Sequence, residues 1–282
     1  MAQPITGVVS AKLKLSRIAV HIDEINGLVR RLAKTKDTYE IVKDADGKET
    51  LHFLIPAPTD IQIIAGEIIY QFRSALDHLA FQLVESNPKG IKLPKGWERE
   101  CQFPLLLSVP TCGRPPIEYP VPVPYEFFEN KLPGISQEAY AFIEGAQPYH
   151  SGAGLHNILR VIGKLANIDK HRHLYVLLPR ISVHHNFTFS DGMMATSTIG
   201  GLKHGAEIPL LADIPDDSPR DEQRSFTPYI TFDETIGVGP DTLVADDLLK
   251  TCLEQFETFI IPTFEKLIQK PIGILAGGPL IP

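Results

Sequence analysis

Cysteine and tryptophan are scarce in this chain, and basic residues are fewer than acidic ones. Its 282 residues include three cysteines, one tryptophan, and 27 lysines and arginines against 34 acidic residues. Three cysteines without a CxxC pair do not make a disulfide framework, and they favour a reducing compartment. The formal net charge of −7 repels phosphate backbones, so an RNA partner would require a local basic patch.

Long apolar runs are also missing. No stretch of eighteen apolar residues occurs, and the N-terminal sequence MAQPITGVVSAKLK lacks the apolar segment of an export signal. We therefore expect a cytoplasmic protein without a membrane segment. Hydrophobic residues still make up 43% of the chain, which is enough for a packed core.

Helical periodicity is the strongest pattern that the sequence does contain. Apolar residues recur every three or four positions in several segments, and the clearest stripe runs from Ile61 to Leu83. Pro262 is expected to kink the last helix. The predicted helical regions are 9–36, 58–86, 124–172 and 243–268.

Strand patterns are shorter and lie between these helices. The Asp46-Gly47 pair between two β-prone arms predicts a hairpin at 38–55. Alternating apolar residues predict a small antiparallel sheet within 173–236. We therefore expect one α+β domain over 1–282, predominantly a helical bundle into which the hairpin and the sheet are inserted. The apolar tail at 271–282 is expected to pack on this chain or on a partner.

The stretch RSALDH places an arginine and a histidine in the middle of the longest predicted helix. On a helix, Arg73 and His78 point about 140 degrees apart, because each residue turns about 100 degrees. Arg73 and Asp77 are four residues apart and can form an ion pair. One interpretation is therefore structural, with Arg73 paired to Asp77 and His78 bonded to Ser74 or to water.

RSALDH also resembles the signature of the HEPN superfamily, an arginine followed after four to six residues by a histidine. Members of that superfamily are helical bundles and often metal-independent ribonucleases of toxin and antiviral systems. The resemblance implies that Arg73 stabilises the charge of the transition state and that His78 is the general acid or base. It also implies a homodimer, in which the two pairs meet, and no cofactor.

A second polar cluster, NIDKHR, ends the helix before the predicted sheet. Asp169 continues the apolar stripe of that helix, so its carboxylate requires a partner. Asp169, His171 and Arg172 either form a network that ends the helix or share one polar pocket with the RSALDH residues. In the second case Ser74 and Asp77 also support the site.

Several further sequence landmarks resemble those of other proteins, but this resemblance implies no activity. RSALDHLAFQLV, FPL at 103–105, AQPYH at 146–150 and LANIDKHRHL resemble features shared by uncharacterised bacterial proteins of similar length. The resemblance implies one architectural unit over about 58–174. Because the chain has no HExxH motif and no Cys/His ligand spacing, we expect no metal. The leading functional hypothesis is a metal-independent ribonuclease or a toxin- or defence-like RNA-processing protein that uses the Arg73 and His78 pair. The alternative is a non-catalytic binding or scaffold protein with a protein partner, in which the Arg/Asp/His cluster is structural.

Overall fold

The structure is a computed structural model. It describes residues 6–34, 39–45, 47–54, 59–86, 89–107, 125–150, 155–171, 177–189, 192–202, 205–206, 208, 220–232 and 245–269. The chain divides into two compact units. The first comprises 1–20, 67–172 and 251–282, and the second comprises 21–66 and 173–250.

The described residues form both helices and strands, which are numbered here in chain order. The helices are α1 (Gly7–Lys34), α2 (Thr59–Glu85), α3 (Trp97–Glu100), α4 (Tyr125–Glu129), α5 (Gln137–Gly145), α6 (Leu155–His171), α7 (Ala245–Gln255) and α8 (Ile261–Gln269). The strands are β1 (Tyr39–Lys43), β2 (Glu49–Phe53), β3 (Leu177–Phe189), β4 (Met194–Leu202) and β5 (Arg220–Phe232).

The first unit is helical and contains α2 from Glu67 onward. The predicted stripe of α2 is buried, and so are further residues beside it, including Ile69, Ala75, Ala80 and Val84. Because more than one stripe is covered, α2 is a core helix rather than a surface helix. Aromatic rings complete this core, with Phe72 and Phe256 4.8 Å apart between ring centroids.

A π-helical segment, Phe256–Ile260, separates α7 from α8. The N–H of Ile261 donates to the carbonyl oxygen of Phe256, five residues earlier. Pro262 follows directly and has no N–H to continue the regular ladder. The irregularity therefore lies beside the proline at which the sequence predicts a kink.

The second unit contains both sheets. β1 and β2 form an antiparallel hairpin, and β4, β3 and β5 form an antiparallel sheet in that order. The main chain of β2 bonds to the segment after β4, with the N–H of Leu51 2.9 Å from the carbonyl oxygen of Ala206. In the described part of this unit, one cluster of buried apolar residues comprises Leu51, Ile181, Val183, Leu202 and Ile208.

An ion pair also joins the hairpin to the sheet. Both terminal nitrogens of Arg224 in β5 donate to the carboxylate of Glu49 in β2. These hydrogen bonds lower the pKa of Glu49 below its ordinary value. The pair thus holds β2 and β5 together at the edge of the apolar core.

The structure confirms the α+β class and two small antiparallel sheets. Within the described ranges, no helix is long and apolar enough to cross a membrane. The short helix α3 was not expected from the sequence, because its four residues make little more than one turn and cannot show a repeating apolar pattern. The apolar tail at 271–282 lies outside the described residues.

Candidate functional site

Arg73 and Asp77 together hold the main chain of Phe103. Arg73 Nη2 donates to the carbonyl oxygen of Phe103 over 2.6 Å, and the N–H of Phe103 donates to Asp77 Oδ1 over 2.9 Å. Arg73 Nη2 also lies 3.0 Å from Asp77 Oδ1. These contacts form a closed ring, which we call the Phe103 clasp.

The sequence explains why one pair of side chains can reach both groups of Phe103. Pro104 follows it, and a residue before proline is biased towards an extended conformation. In an extended residue the N–H and the carbonyl point to the same side. Arg73 and Asp77 are i and i+4 on α2, so they present a donor and an acceptor to that side. The Phe103 ring is buried and lies 6.3 Å from the ring of Phe264.

The clasp changes the titration of nearby groups. Burial raises the pKa of Asp77, although Arg73 and the N–H of Phe103 both act to lower it. Burial, and then the charge of Asp77, raises the pKa of Cys101 to about 12. At neutral pH the Cys101 thiol is therefore protonated, which makes it a poor nucleophile.

Gln147 holds the same extended segment three residues further on. Its side chain is fully buried, and Oε1 accepts from the N–H of Leu106 over 3.0 Å. Its Nε2 donates to the carbonyl oxygen of Ile143 over 2.7 Å, which anchors the amide to α5. Gln147 therefore fixes the segment as the Phe103 clasp does, through a buried main-chain contact.

Helix α6 lies close to residues 105 and 107 at Gly163. A Cβ at Gly163 would lie 3.2 Å from Leu107 Cδ2 and 3.7 Å from Leu105 Cβ. A larger side chain at this position would push the segment away from α6. Residues 103–107, which include the FPL landmark, are thus contacted by the RSALDH landmark, the AQPYH landmark and helix α6.

His78 contacts a different part of the first unit. Its Nδ1 lies 2.7 Å from Ser10 Oγ on α1, whereas the structural interpretation expects a hydrogen bond to Ser74 or to water. On either side of it along α2, Gln82 Oε1 accepts from the N–H of Val8, and Lys14 Nζ donates to Gln71 Oε1. We call this antiparallel line of polar contacts the α1–α2 seam.

The seam leaves little space around His78. A Cβ at Gly7 would overlap the carbonyl oxygen of His78, so the first turn of α1 rests directly on the main chain of α2. Burial, and then the charge of Lys14, lowers the pKa of His78, while Asp77 opposes the shift. The imidazole in the seam is therefore neutral at neutral pH.

The lowered pKa of His78 predicts a pH-dependent stability. The unfolded chain binds a proton at His78 near pH 6.5, whereas the folded chain resists it. The contribution of neutral His78 is thus complete above this pH and decreases as the pH falls below it. We expect the free energy of unfolding, measured in urea between about pH 5 and pH 8, to decrease on acidification.

The His78→Gln variant should lose this part of the pH dependence, because glutamine does not titrate. His184→Gln is the matched control, since His184 lies on β3 and contacts Thr198. If the pH profiles of wild type and His78→Gln run parallel over this range, His78 does not titrate as proposed.

The structure describes only some of the other residues that the sequence predicts for the site. Ser74 is half-buried on α2 beside Arg73. Asp169 and His171 are at the end of α6, but their side chains lie outside the described residues, as does all of Arg172. The polar pocket that joins these residues to Arg73 and His78 therefore stays a prediction.

The sequence analysis missed a further buried network at the AQPYH landmark. Glu144 is buried, and its Oε1 accepts from the Tyr149 hydroxyl and lies 3.0 Å from His150 Nε2. Arg160 on α6 donates to the carbonyl oxygen of Pro148 over 2.7 Å. The three-residue run Pro-Tyr-His after a predicted helix was the available signal. The network ties the turn after α5 to α5 and α6.

No group of three or more His, Cys, Asp and Glu residues is placed to hold a metal ion in the part of the chain that the structure describes.

Comparison with known proteins finds no matching family model, curated protein or solved structure. The resemblance to the HEPN superfamily thus stays a prediction. The site must be interpreted from its own geometry.

Proposed function

We propose that this chain is a non-catalytic binding protein in which Arg73, Asp77 and His78 are structural. The observation that carries the proposal is the separation of their contacts. Arg73 and Asp77 bind the main chain of Phe103, whereas His78 contacts α1 in the α1–α2 seam. Each side chain thus has an intramolecular role that explains its presence.

A metal-independent ribonuclease is the alternative hypothesis, and the contacts support it less well. Such an enzyme needs a guanidinium and an imidazole aimed at the same phosphate. Here Arg73 donates to Phe103 and Asp77. The lowered pKa of His78 also disfavours the protonated form that a general acid requires.

Cleavage of a labelled RNA pool in EDTA separates the two hypotheses. We expect no cleavage by the wild type, by His78→Gln or by the control His184→Gln. A contaminating nuclease would cut RNA in all three preparations. Cleavage by the wild type and the control that His78→Gln loses would contradict the proposal and support the ribonuclease.

The outer face of α1 is the surface that we propose for binding. Val9, Leu13 and Val20 are exposed, and Leu13 keeps 57% of its surface. They lie within about 40 degrees of each other around the helix, opposite its buried residues. An apolar ridge on the solvent side of an amphipathic helix is typical of a contact surface.

We propose a second copy of this chain as the partner of this ridge. Ser16 is the remaining member of the ridge, so the line of side chains from Val9 to Val20 carries no charge. In a two-fold antiparallel pair, Leu13 of each copy meets Val20 of the other. The homodimer expected from the sequence would then form through α1.

Sedimentation equilibrium tests the dimer. We expect a wild-type dimer that Leu13→Glu weakens by at least about tenfold in Kd, because a charge would be buried in the contact. Ile91→Glu is the control, since it places the same charge at an exposed apolar residue outside α1. A monomeric wild type would contradict this assembly, while the RNA test would still decide the role of His78.

A further inference from the structure

The two internal methionines of the chain stand side by side at the β3–β4 turn. The chain has three methionines, Met1, Met193 and Met194. Met193 keeps 64% and Met194 keeps 79% of its surface exposed. Methionine is an apolar residue that more often fills gaps in cores, so this placement gives both thioethers unusual access to solvent.

Main-chain hydrogen bonds hold the turn. Gly192 has a φ of 84°, its N–H donates to the carbonyl oxygen of Phe189, and the N–H of Phe189 donates to the carbonyl oxygen of Met193. A left-handed glycine at this place is typical of a β-hairpin turn. Among the described residues, the buried cluster of the second unit and the side chains packed against it do not include either methionine. Oxidation of the two sulfur atoms is therefore expected to leave that cluster unchanged.

We propose that Met193 and Met194 form an oxidation site at which hydrogen peroxide converts each thioether to a sulfoxide while the fold is retained. The sulfur lone pair attacks one peroxide oxygen and the O–O bond breaks. The proton of the transferred oxygen passes to the second oxygen, which leaves as water. Each sulfur is oxidised by two electrons and each peroxide is reduced by two. The product changes the tip of the hairpin from apolar to polar.

The described cysteines do not compete well for the oxidant. Thiolates react with peroxide much faster than thiols do. Burial raises the pKa of Cys252 to about 12, and burial together with Asp77 raises that of Cys101 to about 12. Both are therefore thiols at neutral pH. Cys112 lies outside the described residues, so the experiment uses a Cys112→Ser background.

The test is peroxide oxidation followed by mass spectrometry of the tryptic peptide 181–203. Oxidation is timed at each methionine in the folded protein and in the same protein unfolded in urea. We expect the two rates to agree within about fivefold at both residues, because reactivity follows access to sulfur. Far-ultraviolet circular dichroism should not change when both residues are oxidised.

Two outcomes would overturn the proposal. One is oxidation more than about fivefold slower in the folded protein at either methionine, which would mean that the sulfur is covered. The other is loss of circular dichroism in step with oxidation. The Met193→Leu, Met194→Leu variant is the control for the second outcome. If this variant loses as much circular dichroism in peroxide, the damage lies elsewhere in the chain. If its circular dichroism does not change, oxidation at the turn causes the loss in the wild type.

Discussion

Replacing Gln147 by alanine is expected to lower the free energy of unfolding by about 2–4 kcal/mol. The side chain is fully buried and bonds to the N–H of Leu106 and the carbonyl oxygen of Ile143. Its removal leaves both main-chain groups without this partner and opens a cavity. Each buried group that loses its hydrogen bond costs about 1–3 kcal/mol, which makes this the largest single effect that we expect from a polar residue.

Urea unfolding of Gln147→Ala measures this effect, and Gln137→Ala provides its control. Gln137 is exposed at the start of α5, so its replacement should change the free energy of unfolding by less than about 0.5 kcal/mol. A loss below about 1 kcal/mol for Gln147→Ala would mean that residues 103–107 are not held through Leu106.

Replacing Asp77 by alanine is the second large effect, with an expected loss of about 1.5–3 kcal/mol. The change leaves the N–H of Phe103 without its acceptor and Arg73 without its carboxylate. The side chains of Arg73 and Asp77 are 22% and 32% exposed, so solvent screening reduces the ionic part of the loss. Asp77→Asn should cost less, because the amide oxygen can still accept from Phe103.

A double-mutant cycle shows whether the two residues act together. Arg73→Ala and Asp77→Ala should couple by about 1 kcal/mol or more, since each removes the partner of the other. Arg73→Ala and Gln82→Ala form the control cycle, because Gln82 lies in the α1–α2 seam. Additive losses from Arg73→Ala and Asp77→Ala would contradict the Phe103 clasp.

Periodicity predicted the long helices and the strands of the larger sheet because burial imposes a period on each element, whereas α3 is too short to show one. The stripe from Ile61 to Leu83 is buried as expected, and β1 and β2 form the hairpin predicted at 38–55, with Gly47 between them at a φ of 85°. The ion pair of Arg73 and Asp77 was also foreseen, because i and i+4 residues are neighbours on any helix.

The partners across the fold could not be foreseen in the same way. Phe103 is 30 residues from Arg73, and Ser10 is 68 residues from His78. Nothing in the local pattern of α2 specifies which distant segment meets which side of it. Helix geometry correctly predicted that Arg73 and His78 lie on different sides of α2, but the local pattern did not show that each side packs against a different segment of the chain.

Amide hydrogen exchange at Phe103 tests the central claim most directly. The account predicts a protected Phe103 amide in the wild type that exchanges at least about tenfold faster in Asp77→Ala, relative to the amide of Leu79 within α2. His78→Gln should leave this ratio unchanged, because the α1–α2 seam is separate from the clasp. An unprotected Phe103 amide in the wild type, or one that Asp77→Ala does not affect, would contradict a structural role for Arg73 and Asp77.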